Sequence, residues 1–286
     1  MSPLDRPILL PAADLMRRPP VFVLTCLSIG VFLSATSRHV VAQEVEGGAR
    51  GVLIDDVDTT EFPIGKSDSK AESAELPPEI AKWEEEIRKL EMLDETEPDP
   101  ADAVLFIGSS SIRLWKTIAR DMAPYRTIRR GYGGAKFSDL AHYASRVITP
   151  HEYRGLVLFV ANDVSGGDSD HTPDQVRRWL ESIIDVSKRH QSEAPIFIVE
   201  VTPTPKRYEA WPAIADLNAR LRRVALTEPN VYYVATAEHY LDADKVPRAS
   251  LFTEDRLHQN EEGYERWASL IRRRLDEVFR MLAGAR

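Results

Sequence analysis

The sequence predicts an α/β fold built on a five-stranded parallel sheet. Three observations carry that prediction. Short runs that are apolar throughout recur between Ala103 and Val234, amphipathic segments at helical spacing separate them, and turns rich in Gly, Asn or Asp follow several of the runs. Strands without polar alternation must be covered on both faces, and helices on each side of a parallel sheet do this.

Length alone allows about two domains at the usual ~100–200 residues each, but the N-terminal part has to be set aside first. Arg17 and Arg18 precede the apolar run Val21 to Ala35, and the small-residue site Val40-Val41-Ala42 follows. This is the layout of a secretory signal over residues 1–42, cleaved after Ala42. The run is short for a membrane span, which needs roughly 20 apolar residues. A retained anchor is the alternative, and Met16 is an alternative start. The expected location is therefore secreted or periplasmic, with no stable membrane partner after cleavage. Cys26, the single cysteine, lies inside the run behind Thr25, where a lipoprotein site would place Gly, Ala or Ser. A chain cleaved there has no thiol, which excludes disulfides, cysteine nucleophiles and cysteine-ligated zinc.

Residues 43–77 read as an acidic flexible linker, with Asp55-Asp56, Glu61 and Glu72 set among Gly, Ser and Pro. The acidic balance, a net charge of −8, argues against a nucleic-acid partner, because phosphate binding relies on clustered Lys and Arg. The catalytic domain is expected over 78–286. It opens with a helix over about 78–92, in which Ile80, Trp83, Ile87 and Leu90 share one face that docks on the domain.

The first strand is Val104 to Ile107, a β-branched and aromatic run that stops at Gly108. Ile112, Trp115, Ile118 and Met122 then recur at helical spacing. A weak strand over Tyr125 to Arg129 leads to Gly131-Tyr-Gly-Gly134 and a helix striped by Leu140, Tyr143, Ala144 and Val147. The third strand, Leu156 to Val160, is followed by Ala161-Asn-Asp163 and a helix carrying Val176, Leu180, Ile183 and Ile184. Pro195 to Val201 is a strong fourth strand, Ile214 to Val224 a helix, and Val231 to Val234 a fifth strand. Tyr264, Trp267, Ile271, Leu275 and Val278 stripe a long last helix. The resulting core of about 190 residues is a normal size for one domain.

In a doubly wound sheet, ligands bind beyond the carboxyl ends of the strands. Ser110, Gly133-Gly134, Asn162-Asp163 and Asp255-Arg-Leu-His258 all fall at that edge. A serine just past Gly108 stands at a helix N-terminus, which suits a nucleophilic oxygen and also suits a plain cap. Acyl transfer by serine needs a base, an acid that fixes the base's tautomer, and N–H donors for the oxyanion. His258 can serve as base, and Asp255 can reach its Nδ1 if the pair occupies one helical turn. The backbone N–H groups of Ser110 and Gly134 and the Asn162 amide are the candidate oxyanion donors. Pro203-Thr-Pro-Lys-Arg207 reaches the same edge and is expected either to shape the acyl or leaving-group pocket, with Arg207 able to meet an anionic or hydroxylated substrate, or to form a rigid turn. Asp163, Asp168, Asp170 and His171 lack a defined ligand spacing, so no metal and no cofactor is expected.

These residues resemble the SGNH, or GDSL, hydrolases, in particular the branch that includes the platelet-activating-factor acetylhydrolase small subunits and many bacterial esterases. The resemblance runs from about Lys82 to Arg280. It rests on Phe106-Ile-Gly-Ser-Ser-Ser-Ile-Arg-Leu-Trp115, Gly131-Tyr-Gly-Gly134, Val160-Ala-Asn-Asp163, and Asp255-Arg-Leu-His258 with Gly263-Tyr264 beyond. It implies a flavodoxin-like three-layer α/β/α sandwich. It also implies Ser110 as nucleophile, Gly134 and Asn162 in the oxyanion hole, and Asp255 and His258 completing a triad. Ser109 replaces the family's aspartate, Ala161 a frequent glycine, and Gln259 a usual apolar residue. The function implied is an exported esterase that removes a short acyl group, such as acetyl, from a carbohydrate or other small alcohol. O-acyl transfer to a sugar acceptor and a catalytically inactive binding module are the alternatives.

Overall fold

The computed structural model describes residues 76–284. The signal, the start at Met16 and the linker up to residue 75 lie outside the described residues. The elements in order are α1 (Pro78–Ala81), α2 (Glu84–Thr96), β1 (Val104–Gly108), α3 (Ser110–Leu114), α4 (Ile118–Asp121), β2 (Thr127–Gly131) and α5 (Phe137–Ile148). They continue as β3 (Gly155–Phe159), α6 (Pro173–His190), β4 (Ile196–Val199), α7 (Trp211–Thr227), β5 (Val231–Val234) and α8 (Glu261–Gly284).

The five strands pair in parallel in the order β2-β1-β3-β4-β5. Successive side chains on a strand point to opposite faces, so each strand feeds two cores. Leu105, Ile107, Leu156, Leu158, Ile196 and Ile198 face the layer formed by α2, α5, α6 and α7. Val104, Phe106, Val157, Phe159, Phe197 and Val199 face α3, α4 and α8. This is the three-layer α/β/α sandwich, and it explains why the central strands β1, β3 and β4 read as unbroken apolar runs.

β3 lies one residue earlier than the sequence reading and β4 is shorter, over Ile196–Val199, and three further boundaries differ for reasons that the packing shows. The N-terminal helix is two pieces broken at Lys82–Trp83, and its second piece runs to Thr96 rather than 92. Glu84 and Glu91 on α2 pair with Arg146 of α5, each at 2.7 Å, which ties the longer helix down. The stripe Ile112 to Met122 is also two short helices, α3 and α4, separated at Trp115–Thr117. Trp115 Nε1 and Thr117 Oγ1 both donate to the buried Asp121 carboxylate, at 2.8 and 2.6 Å, which closes the break. Finally, β2 lies two residues later than expected, over Thr127–Gly131. It includes Arg130, only 2% exposed, whose guanidinium donates to Asp94 at 2.5 Å and Glu97 at 3.2 Å. Two adjacent arginines argue against a strand until Asp94 of α2 and Glu97 just beyond it neutralise the buried one.

Candidate active site

β1 ends on Gly108, whose φ of +136° is open to glycine and strained for other residues. A Cβ there would lie 1.9 Å from the carbonyl oxygen of Phe159 at the end of β3. The bare backbone lets β1 turn sharply against β3, and the Ser109 N–H then donates to that same oxygen at 2.9 Å. Ser110 follows as the first residue of α3, where its N–H has no intrahelical acceptor.

Ser110 Oγ lies 2.9 Å from His258 Nε2, and His258 Nδ1 lies 2.5 Å from Asp255 Oδ2. The helical turn expected for Asp255 and His258 is absent. They sit in a loop closed by the Phe252–Gln259 bridge and by a Thr253 N–H to His258 carbonyl bond of 2.8 Å. Asp255 folds this loop itself. Its Oδ1 accepts the backbone N–H groups of Leu257 and His258, each at 2.9 Å, and the Thr253 hydroxyl at 2.7 Å. Burial pushes the Asp255 pKa up, but the His258 ring, the two backbone N–H groups and Thr253 outweigh it and hold the carboxyl well below the usual range. An ionised carboxylate only accepts, so Nδ1 of His258 carries a proton and Nε2 is left to accept from the serine. Thr253 was not singled out in the sequence. Its place two residues before Asp255 is the only signal, and such pairs are common in turns.

The Asn162 amide is oriented from both ends. Nδ2 donates to the Ala135 carbonyl at 2.9 Å, and Oδ1 accepts from Arg207 Nη2 at 2.9 Å, while Arg207 Nη1 donates to the Ala161 carbonyl at 2.5 Å. One N–H of the amide is left over. Arg207 is the residue that the sequence reading allows to meet substrate. Its guanidinium lines the cavity, yet two of its donors are used on the loop after β3, and burial holds its pKa below the usual value. Gly134 has φ +73° and does not line the cavity, although its neighbour Ala135 joins that loop to Asn162. The cavity itself is about 30 Å³, bounded by Ser110, Asn162 and His258 and by apolar walls from Phe159, Ile214 and Leu257. That is room for about two water-sized groups.

Beside the site, Asp163 is fully buried and accepts the Phe137 N–H at 3.0 Å and His171 at 2.9 Å, while Asp170 accepts the Ser165 and Gly166 N–H groups at 2.8 and 2.7 Å. Asp139, 3% exposed, accepts the Tyr132 hydroxyl at 2.6 Å and the Lys136 N–H at 3.1 Å. Burial pushes its pKa up to about 6, against the hydrogen bonds from Tyr132 and Lys136 and with help from the Asp163 charge. A carboxyl raised in this way binds more protons folded than unfolded between about pH 4 and 6, so stability falls as pH rises through that window. Asp139→Asn keeps an acceptor and removes the titration. The melting temperature of the variant minus that of the wild type should therefore increase by about 5 °C from pH 4 to pH 7, for on the order of 2 kcal/mol. A difference that stays flat with pH would show Asp139 to titrate normally.

Comparison with known proteins decides the family. A family model described as the GDSL-like lipase/acylhydrolase family matches residues 108–266, more than half of the 286-residue chain. The chain belongs to this family. It is accordingly an ester hydrolase of the esterase and lipase type. No curated protein matches it in sequence. Among solved structures, it is similar to a Streptococcus pneumonia protein provisionally designated a platelet activating factor, with a TM-score of 0.60, 20% identity, and 68% of this chain and 94% of that chain covered. A GDSL-like lipase from Bacteroides thetaiotaomicron VPI-5482 gives 0.57, 19%, 67% and 98%. A carbohydrate esterase family 3 protein from Talaromyces cellulolyticus gives 0.50, 13%, 62% and 98%. At these identities the likeness is one of fold.

Proposed function

We propose that this ester hydrolase is an exported serine esterase that removes a short acyl group, such as acetyl, from a carbohydrate or other small alcohol. The observation that carries the reading is the hydrogen-bond chain from Ser110 Oγ through His258 to the Asp255 carboxylate. In the reaction, Ser110 Oγ attacks the ester carbonyl carbon while His258 Nε2 takes its proton. The carbonyl oxygen becomes an oxyanion met by the Ser110 N–H and the free N–H of Asn162, with the Gly134 N–H, on the loop that Ala135 ties to Asn162, as the third donor that the resemblance implies. Collapse breaks the bond to the alcohol, which leaves with the proton from His258. Water, deprotonated by the same ring, then releases the acid from Ser110.

The small cavity beside Ser110, walled by Phe159, Ile214 and Leu257, supports a short acyl group. The secretory layout of residues 1–42 supports a secreted or periplasmic enzyme acting on a soluble ester, without a nucleic-acid partner. The fold shared with a carbohydrate esterase makes a sugar ester the first class to test. Purified protein incubated with p-nitrophenyl acetate and with acetylated oligosaccharides should hydrolyse both without an acceptor. Turnover only with a sugar acceptor would make it an O-acyltransferase instead, and no turnover with either a binding module.

Asp255→Asn removes the charge that fixes the His258 tautomer and stabilises its imidazolium. It should lower kcat by about 10³- to 10⁴-fold across the working pH range while the fold stays intact. EDTA should leave the wild type unchanged. Loss of turnover to the chelator, with Asp255→Asn fully active, would overturn the serine mechanism.

A further inference from the structure

The Trp83 side chain lies on the N-terminal arm, outside the residues 108–266 that carry the family match, yet it touches the loop assigned to the oxyanion hole. A Cβ on Gly134 would lie 2.9 Å from Cη2 and 3.3 Å from Cζ2 of the indole, so the ring covers the glycine directly. Gly133 and Gly134 have no side chains with which to pack themselves, and the positive φ of Gly134 disfavours a side chain there. The loop must be braced from outside. Trp83 supplies that brace on one side, with its ring 5.5 Å from Tyr132 and tilted by 57°. Its buried indole N–H faces Asp139 and helps hold that carboxyl down against burial, without the geometry of a full hydrogen bond. Tyr132 and Lys136 are tied to Asp139, and Ala135 to Asn162. A shift of the loop at Gly134 therefore passes on to the Asn162 amide.

We propose that Trp83 is a positioning residue that holds the Gly134 N–H and, through Ala135, the Asn162 amide in place for the oxyanion. This rests on the serine esterase reading above. Oxyanion donors act only when they are aimed at the place where charge develops, and removing one costs about 10²- to 10³-fold in kcat. A brace that lets a donor drift should cost part of that and leave substrate binding nearly untouched.

The arm does not depend on Trp83 for its attachment. Arg146 bridges Glu84 and Glu91, Arg130 pairs with Asp94 and Glu97, the Tyr143 hydroxyl donates to the Ile80 carbonyl at 3.2 Å, and Ile87 and Leu90 are buried. The indole can be trimmed with the arm still docked. Trp83→Ala should lower kcat about 10- to 100-fold with KM changed less than about threefold. It should weaken a boronic acid inhibitor, which forms a tetrahedral adduct on the serine, by a similar factor, while inhibition by acetate stays the same. Trp83→Phe should recover most of the activity. Leu90→Ala, which loosens the arm away from the loop, serves as the control and should lower the melting temperature with kcat unchanged well below it. If Trp83→Ala is recovered unfolded, Trp83→Leu carries the same comparison. The proposal is overturned if Trp83→Ala or Trp83→Leu keeps kcat within twofold, or if Leu90→Ala loses kcat to the same extent. Ester turnover that survives in Ser110→Ala would instead sink the serine reading and leave the packing of Trp83 on Gly134 as a separate fact.

Discussion

Ser110→Ala is expected to abolish ester hydrolysis and covalent labelling by a fluorophosphonate, with kcat falling by about 10⁴- to 10⁶-fold. Three consecutive serines compete for the role, and their surroundings separate them. Ser109 is 1% exposed, with its N–H held by the Phe159 carbonyl, so its hydroxyl has little access to a substrate. Ser111 lies one residue further into α3, where its carbonyl accepts the Tyr264 hydroxyl at 3.0 Å. Only Ser110 Oγ meets a ring nitrogen, at 2.9 Å from His258 Nε2. Ser109→Ala and Ser111→Ala should therefore keep the label. The double variant Ser110→Ala with His258→Ala should be no worse than either single one, because both changes disable one unit. A label that survives at Ser110→Ala and vanishes at Ser111→Ala would move the nucleophile by one position.

The sheet was legible in the sequence for a physical reason. The three central strands are buried on both faces, so Val104 to Ile107, Leu156 to Phe159 and Ile196 to Val199 had to be apolar throughout. The break between α3 and α4 was hidden for a related reason. Trp115 stacks on Tyr264 at 5.4 Å and sits 5.3 Å from Trp267, and Ile112, Ile118 and Met122 face the same core. A periodic stripe reports which side chains are buried, and two short helices against one wall keep the stripe although the backbone is interrupted. The weak second strand was expected but placed two residues early, because the partners that neutralise Arg130 are more than thirty residues away in the chain, at the end of α2.

At the site, the sequence could place Ser110, Gly134, Asn162, Asp255 and His258 at one edge because each belongs to a loop that ends a strand or precedes the last helix. It could not show how Asp255 reaches His258. A spacing of three suits a helix, and the carboxylate instead makes its own loop by accepting the N–H groups of Leu257 and His258. Nor could it show where Arg207 spends its donors, since the acceptors are the Ala161 carbonyl and Asn162 Oδ1, on a loop that meets it only in the fold. Backbone acceptors leave no mark in a sequence.

Gly108→Ala should be the most damaging single substitution among those considered for the fold. The added methyl would lie 1.9 Å from the Phe159 carbonyl oxygen and 2.7 Å from its carbon, both backbone atoms, and no rotamer change can relieve that contact. The φ of +136° adds backbone strain that an alanine does not accept. Relief requires the ends of β1 and β3 to separate, and the bond from the Ser109 N–H to the Phe159 carbonyl would be lost with them. A loss above about 4 kcal/mol, or failure to fold, is the expected outcome in a denaturant titration. Gly167→Ala is the matched control, because the nearest atom to its added methyl is Ser165 Oγ at 3.8 Å. It should shift stability by less than about 1 kcal/mol. A folded Gly108→Ala protein with near wild-type stability would mean that β1 and β3 do not approach as closely as this. If a small folded fraction of Gly108→Ala is recovered, its kcat should fall too, because the turn that ends β1 is also what presents Ser110 to His258.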